Sequence, residues 1–175
     1  LIQRRDHAIL ELLFSSGLRV SELISLTRDQ LNPDKDDLTV RGKGGKLRIV
    51  FVSPAARAAI HDYWTVRRDA SPCAFIRHDR GAPASVVDAK PKPLTPRSVQ
   101  RLVLRYARLA GLNARVTPHV LRHTFATDLL INGADLRSVQ ALLGHASITT
   151  TQVYTHLTDR QLKDVYRAFH GKRRR

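Results

Sequence analysis

Two arginines and two histidines stand out because their side chains could act on a phosphate or hold a metal ion. His119 and His123 are four residues apart, a spacing that puts both on one face of a helix and occurs in zinc sites. Zinc is disfavoured because Val120 stands where the metalloprotease pattern needs Glu, and because the cationic Arg122 repels a divalent ion. Arg122 is better paired with Arg19, since two guanidinium groups can clamp one phosphate through paired hydrogen bonds. Either arginine alone would be an ordinary surface residue.

Three further residues complete a set suited to phosphate chemistry. Lys43 lies in a glycine-rich turn, His145 follows Gly144, and Tyr154 lies nine residues beyond His145. Positioned donors stabilise the negative charge that develops on a phosphate under attack, by roughly 3 kcal/mol each. A tyrosine hydroxyl, with a pKa of about 10, must lose its proton to attack. The set is therefore suited to chemistry at a phosphate; no metal is needed if these cations supply the charge, and no cofactor is expected.

The hydrophobic pattern predicts how Arg19 is positioned. Apolar residues recur at helical spacing over 4–16, and Gly17 is typical of the residue that follows a helix. Ser21 and Glu22 then begin a shorter helix. Arg19 is therefore expected in a tight turn between two helices, where Glu22 either supports the site or caps its helix.

A β-hairpin is predicted around Lys43, which lies at its tip. The second strand alternates, with three apolar residues on one face, namely Leu47, Ile49 and Phe51. Lys46 and Arg48 are expected on the opposite face.

The remaining elements are predicted to be helices. Their starts are marked by Pro54, by Thr95 with Pro96, by Thr117 with Pro118 and by Asp135. Two more helices are expected over 148–155 and along the apolar positions Leu162, Val165, Tyr166 and Phe169. Residues 74–76 are predicted as a short strand and 78–93 as an exposed loop. The fold class is therefore mainly α with a small antiparallel β-sheet.

The charge balance favours a nucleic-acid partner. Lys and Arg number 30 against 15 Asp and Glu, giving the 175 residues a formal net charge of +15. Such a field attracts polyanions, although ribosomal and membrane-surface proteins share it. Candidate DNA contacts are Lys46, Arg48, Arg97, Arg101 and Arg105, the last three on a helical face that could equally be solvated. A lone Cys73 and the absence of a membrane-length apolar run favour a cytoplasmic protein.

Three strings occur in order along the chain and carry a family resemblance. They are SSGLRVSELISL, VRGKGGKLR and TPHVLRHTFATDLLINGADLRSVQALLGHASITTTQVYTHL. In these strings the sequence resembles the tyrosine recombinase, or phage integrase, family, with the catalytic-domain fold of that family. It looks most like the Xer branch, which resolves chromosome dimers, while integrases and transposases of mobile elements share much of the third string.

The resemblance implies a role for each residue of the set. Tyr154 would be the nucleophile, forming a 3′-phosphotyrosyl bond on the way to a Holliday junction. Five residues would surround the scissile phosphate, namely Arg19, Lys43, His119, Arg122 and His145. His119 would act either as the base or as a hydrogen-bond donor to the phosphate. Lys43 is expected to be the general acid, with Lys46 as the nearest alternative.

The resemblance also implies a domain organisation and partners. Residues 1–175 would be a catalytic domain without the amino-terminal DNA-binding domain of the family. Residues 158–175 would pack on their own domain or dock in a neighbouring protomer of a homo- or hetero-tetramer on double-stranded DNA. A DNA translocase or another regulatory partner, and a location on the prokaryotic nucleoid, are further expectations. The remaining alternatives are a tyrosine-type DNA topoisomerase and a non-catalytic DNA-binding protein.

Overall fold

The computed structural model describes residues 1–42, 45, 47–78, 92–112, 115–144 and 159–171. Within these residues the chain forms seven helices and a two-stranded sheet. In chain order the elements are α1 Ile2–Ser16, α2 Val20–Ser25, β1 Asp37–Arg41, β2 Leu47–Phe51, α3 Pro54–Thr65, α4 Pro96–Leu109, α5 Pro118–Ile131, α6 Leu136–Leu143 and α7 Asp159–Phe169. The prediction of a mainly helical fold with a small antiparallel sheet is confirmed.

Helix α1 is the central element of the larger core. Ile9 and Leu12 of α1 are completely buried, and α1 packs against both α3 and α5. From α3, Tyr63 stacks on Phe75 with ring centroids 5.9 Å apart. Burial of these side chains holds α1 rigidly, so the turn that follows it at Gly17 has a fixed position.

Local signals determine most helix ends, as predicted. The side chains of Thr95, Thr117 and Asp135 each accept a hydrogen bond from the third backbone N–H of the helix that follows. At the other ends, α1 and α6 are followed by Gly17 and Gly144, with left-handed φ angles of 59° and 61°.

The hairpin forms as predicted, but burial does not alternate along β2. Asp37 pairs with Phe51 and Arg41 with Leu47. Leu47, expected to be buried, is 66% exposed, whereas Val50 and Phe51 are both buried. The reason is that Val50 and Phe51, which point to opposite faces of β2, each join a different hydrophobic cluster, while Leu47 lies beside the turn.

Other segments differ from the predictions or lie outside the described residues. The piece at 74–76 does not form a strand of a sheet, since only isolated bridges connect Thr27 with Cys73 and Ile76 with Pro93. Most of the predicted loop over 78–93 and the whole predicted helix over 148–155 fall outside the described residues. In the part of the chain that is described, no helix is long and apolar enough to cross a membrane.

Helix α7 packs on the rest of the chain in this structure. Tyr166 is 7% exposed and joins a second core cluster with Phe51 and Phe125. Lys163 and Arg167 both form ion pairs with Asp36, at 2.7 and 2.6 Å. Docking of residues 158–175 in a neighbouring protomer remains a prediction.

Candidate active site

Three arginines from different elements converge on the carboxyl end of α6. Arg48 donates to the carbonyl of Leu142 at 2.8 Å, Arg122 to that of Leu143 at 2.6 Å, and Arg19 to that of Gly144 at 3.5 Å. The last carbonyls of a helix lack intrahelical partners and carry partial negative charge, so cations are favourable there. The fold thereby brings together Arg19 and Arg122, which are 103 positions apart in sequence, as the sequence predicted.

Glu22 is the acidic partner of this cluster. Its Oε1 accepts from the Arg19 guanidinium at 2.9 Å, and its Oε2 accepts from the Arg19 backbone N–H at 2.7 Å and from Arg48 at 2.8 Å. Burial alone would raise the pKa of Glu22, but these hydrogen bonds and the charge of Arg48 outweigh it and hold the pKa below 4.5. Glu22 therefore both caps α2 and orients Arg19, so the two alternatives weighed for it are parts of one arrangement.

Arg122 is the most deeply placed of the predicted phosphate-binding residues. It is 6% exposed and also donates to the carbonyl of Gly17 at the end of α1. Burial, followed by the charges of Arg19 and Arg48, lowers its pKa to about 10. Because that pKa still lies well above neutrality, the guanidinium stays charged at pH 7.

An open depression lies beside Arg19. It has a volume of about 370 Å³ and is lined by Arg19, Ser21, Glu22, Ser25, Arg41 and Gly42. Arg41 is the last residue of β1, Gly42 follows it, and Lys43 is the next residue in the sequence. The end of β1 and the start of α2 therefore share one concave surface, which can admit an anionic group.

His119 is the second residue of α5 and is exposed. It precedes Arg122 by three positions, which places the two side chains on one face of the helix. His123 is also exposed. Among the described residues, no three His, Cys, Asp or Glu side chains form a group that could hold a metal ion.

Four residues predicted for the site lie outside the described residues. These are Lys43, Lys46, His145 and Tyr154. The three other tyrosines of the chain are described, and burial raises the pKa of each. Tyr63 and Tyr166 are buried in the core, and Tyr106 is half-buried. Tyr154 is the candidate nucleophile because the family resemblance implies that role for it.

The predicted DNA contacts divide into two groups. Arg97, Arg101 and Arg105 are exposed at four-residue spacing on α4, so one face of the helix is basic. Arg48 was expected with Lys46 on the face of the hairpin opposite its apolar residues, but its side chain is only 8% exposed and is paired with Glu22. The physical reason is that α2 and α6 meet β2 at this residue, so a position that alternation assigns to solvent is covered.

Comparison with known proteins gives a consistent result. The sequence matches the phage integrase family over residues 2–161. Tyrosine recombinase XerC of Thermodesulfovibrio yellowstonii is 42% identical over 167 residues, which are 95% of this chain and 55% of that protein. The crystal structure of XerA recombinase covers 95% of this chain and 58% of its own, with a TM-score of 0.72 and 33% identity. The crystal structure of XerH site-specific recombinase bound to difH substrate, a pre-cleavage complex, has a TM-score of 0.68 and 25% identity, covering 93% and 46%.

The chain thus spans about half the length of the proteins that it resembles. Within that half, the match extends over the α1–α2 turn, the hairpin, α5 and α6, which are the elements that carry the arginine cluster. The resemblance that the three sequence strings predicted is therefore confirmed: the chain belongs to the phage integrase family of tyrosine recombinases.

Proposed function

We propose that the protein is a site-specific DNA recombinase, and that this chain is its catalytic domain. The observation that carries the proposal is the convergence of Arg19 and Arg122 on adjacent carbonyls at the end of α6, one residue before His145. Two fixed guanidinium groups at one place can hold the two nonbridging oxygens of a phosphate. The catalytic set expected from the sequence would then surround that phosphate.

The proposed reaction is a transesterification. The Tyr154 hydroxyl loses its proton, with His119 as base or phosphate ligand, and its oxygen bonds to phosphorus. Arg19, Arg122 and His145 stabilise the developing charge, since preorganised donors act strongest where charge appears in the transition state. The bond from phosphorus to the 5′ oxygen breaks, and Lys43 protonates the departing oxygen. The 3′-phosphotyrosyl bond conserves the phosphodiester energy, so a second 5′ hydroxyl can rejoin the strand and form a Holliday junction.

The proposed partner is double-stranded DNA, held in part by the basic face of α4. XerH is described as bound to its difH substrate, and this chain shares its fold. A net charge of +15 gives the attraction that DNA binding requires. The resemblance to the Xer branch is the basis of the finer part of the proposal, chromosome dimer resolution in the cytoplasm, on the nucleoid. It also implies a tetramer joined through residues 158–175, with a DNA translocase or another protein as regulator.

Trapping of the covalent intermediate tests the proposal. The protein first selects its target from a pool of randomised duplexes, and the selected duplex is then nicked so that cleavage releases a short fragment and cannot reverse. Denaturing electrophoresis should show a protein–DNA adduct for the wild type and none for Tyr154→Phe. The matched control, Tyr63→Phe, alters a core tyrosine that is 0% exposed and should form the adduct.

Two results would contradict the proposal. Absence of an adduct from the wild type on its selected duplex would favour a non-catalytic DNA-binding protein. Relaxation of supercoiled plasmids without any sequence preference, and without junction formation, would favour a topoisomerase.

A further inference from the structure

Arg48 connects three elements of the arginine cluster. From β2, its Nη2 donates to Glu22 on α2 at 2.8 Å and its Nη1 donates to the carbonyl of Leu142 on α6 at 2.8 Å. The sequence separations are 26 and 94 residues, so these contacts exist only in the folded protein. One guanidinium group is thus hydrogen-bonded to two parts of the chain that flank the proposed phosphate site.

The environment of Arg48 fixes its geometry. Its side chain is 8% exposed and that of Glu22 is 2% exposed. Burial lowers the pKa of Arg48, while the Glu22 charge opposes this effect. Taking charges out of water is costly unless the pairing geometry is good, so the pair is held where both hydrogen bonds form. A lysine cannot reproduce this arrangement, because it lacks a planar fork that reaches two acceptors at once.

The Nη2 group of Arg48, which donates to Glu22, acts on Arg19 through that carboxylate. Oε2 of Glu22 is shared between Arg48 and the backbone N–H of Arg19, while Oε1 binds the Arg19 guanidinium. Arg48 therefore fixes the rotation of the carboxylate about its own axis. Without Arg48, Arg19 is the one cation among the described residues that still donates hydrogen bonds to the Glu22 carboxylate, and the two side chains can turn together away from the phosphate site.

The Nη1 group of Arg48, which donates to Leu142, acts on the end of α6. Besides the bond to Leu142, the stem of Arg48 lies against Gly144, where a Cβ would come within 2.5 Å of Arg48 Cδ. Glycine is thus required at this close approach as well as by its left-handed φ of 61°. Arg48 therefore fixes the end of α6 up to Gly144, the residue that precedes His145 in the sequence.

We propose that Arg48 is a positioning residue of the active site, which orients Arg19 through Glu22 and anchors the carboxyl end of α6 at Leu142 and Gly144. This inference rests on the proposed function, since it concerns the rate of the same DNA cleavage. Arg48 does not contact DNA in this role, so its loss should change the chemical step and leave DNA affinity nearly unchanged. A DNA-contacting arginine would show the opposite pattern.

The test compares two variants of Arg48 with a matched buried arginine in the full-length protein. Arg48→Met keeps the aliphatic stem against Gly144 and removes the guanidinium. Arg48→Lys keeps the positive charge but loses the planar group that donates to two acceptors at once. The control is Arg67→Met. Arg67 has a side chain that is 0% exposed and likewise joins a carboxylate, that of Asp69, to backbone carbonyls.

Three quantities are measured for each protein on the selected duplex: the single-turnover rate of adduct formation, the Kd for DNA, and the fraction folded. We expect Arg48→Met to lower the rate per folded molecule by about 10- to 100-fold, and Arg48→Lys by less, with Kd within about 3-fold of wild type. Arg67→Met should lose stability but keep its rate per folded molecule. If Arg48→Met does not fold, Arg48→Lys decides the outcome.

Two further readouts separate positioning from a merely structural role. In a Glu22→Gln background, Arg48→Met should add little to the loss of rate, because both changes break the same connection to Arg19. The acid limb of the rate–pH profile should also move to higher pH in Arg48→Met. Glu22 is faced by Arg19, Arg48 and Arg122, and it loses one of these three cations, which raises its pKa.

The outcomes distinguish this inference from the proposed function. If the wild type forms no adduct, the proposed function fails and this inference fails with it. If the wild type forms the adduct, unchanged rates in both Arg48 variants would overturn the positioning role alone. A loss of DNA affinity that accounts for the whole loss of rate would instead assign Arg48 to DNA binding.

Discussion

Gly17→Ala tests whether the turn between α1 and α2 is as tightly constrained as the structure indicates. Gly17 has a φ of 59°, and its carbonyl accepts a hydrogen bond from Arg122. A Cβ on Gly17 would lie 2.6 Å from Cδ1 and 2.9 Å from Cε1 of the Phe125 ring. Phe125 is 1% exposed in the second core cluster, so the ring has little room to withdraw.

Two terms give the magnitude of the effect. A residue with a Cβ costs roughly 1–2 kcal/mol in the left-handed region. Carbon atoms prefer separations of about 3.5–4.0 Å, and forcing extra volume into a packed core costs about 1–3 kcal/mol. Gly17→Ala should therefore lower the free energy of unfolding by about 2–5 kcal/mol.

Gly111→Ala supplies the matched control. Gly111 has a φ of 73°, but no atom lies within 4 Å of the position that its Cβ would take. The control carries only the backbone term, about 1–2 kcal/mol. Urea denaturation followed by circular dichroism measures both variants, and the difference between them isolates the overlap with Phe125.

A double-mutant cycle and a rate measurement complete the test. Phe125→Leu should relieve the overlap, so Gly17→Ala should cost about 1–3 kcal/mol less in that background. The surviving folded fraction of Gly17→Ala should also cleave DNA more slowly, because a displaced Gly17 carbonyl pulls on Arg122. The reasoning is refuted if Gly17→Ala is no more destabilising than Gly111→Ala.

Two further predictions concern buried and partly buried carboxylates. Glu22→Gln should destabilise the protein by about 3–5 kcal/mol at neutral pH, because it leaves buried arginines without their counter-charge. Because the folded-state pKa of Glu22 is lowered, the wild type should exceed the variant in free energy of unfolding by the full amount above pH 4.5. This difference should shrink as the pH falls through the folded-state pKa. Urea denaturation at a series of pH values would contradict this if the difference stayed constant down to pH 3. Asp36→Asn should cost only about 1 kcal/mol, because its partners Lys163 and Arg167 are 31% and 61% exposed. In the Asp36→Asn variant, the backbone amides of residues 159–169 should exchange hydrogen faster than in Asp34→Asn, a control at an exposed position. Equal exchange in the two variants would show that the ion pairs of Asp36 do not hold α7 in place.

The parts of the fold that could be predicted from sequence are those determined by local chemistry. Thr117 and Asp135 mark helix starts because a side-chain oxygen satisfies a backbone N–H within the same turn. Gly17 marks a helix end because only glycine takes left-handed φ at little cost. The predicted location of Arg19 between two helices followed from these signals and is confirmed.

The position of Arg48 could not be predicted in this way. Alternation along β2 assigned it to an exposed face, since the pattern contains no information about what covers the strand. Its partners lie 26 and 94 residues away, so the burial depends on how α2 and α6 pack. Leu47 shows the opposite error: the pattern predicted it to be buried, but it is exposed because an apolar residue beside a turn can extend beyond the core.

The composition of the cluster explains why the site suits an anion. Among the described residues, three guanidinium groups face a single carboxylate, that of Glu22, and the remaining acceptors are uncharged carbonyls. The charges of Arg19 and Arg48 help to lower the pKa of Arg122, which measures their mutual repulsion in the folded state. A phosphate that enters beside Arg19 and Arg122 would relieve this repulsion, so DNA binding and folding stability should be linked. The same positive excess is in place before the phosphate becomes more negative during attack, which is the condition for preorganised stabilisation of a transition state.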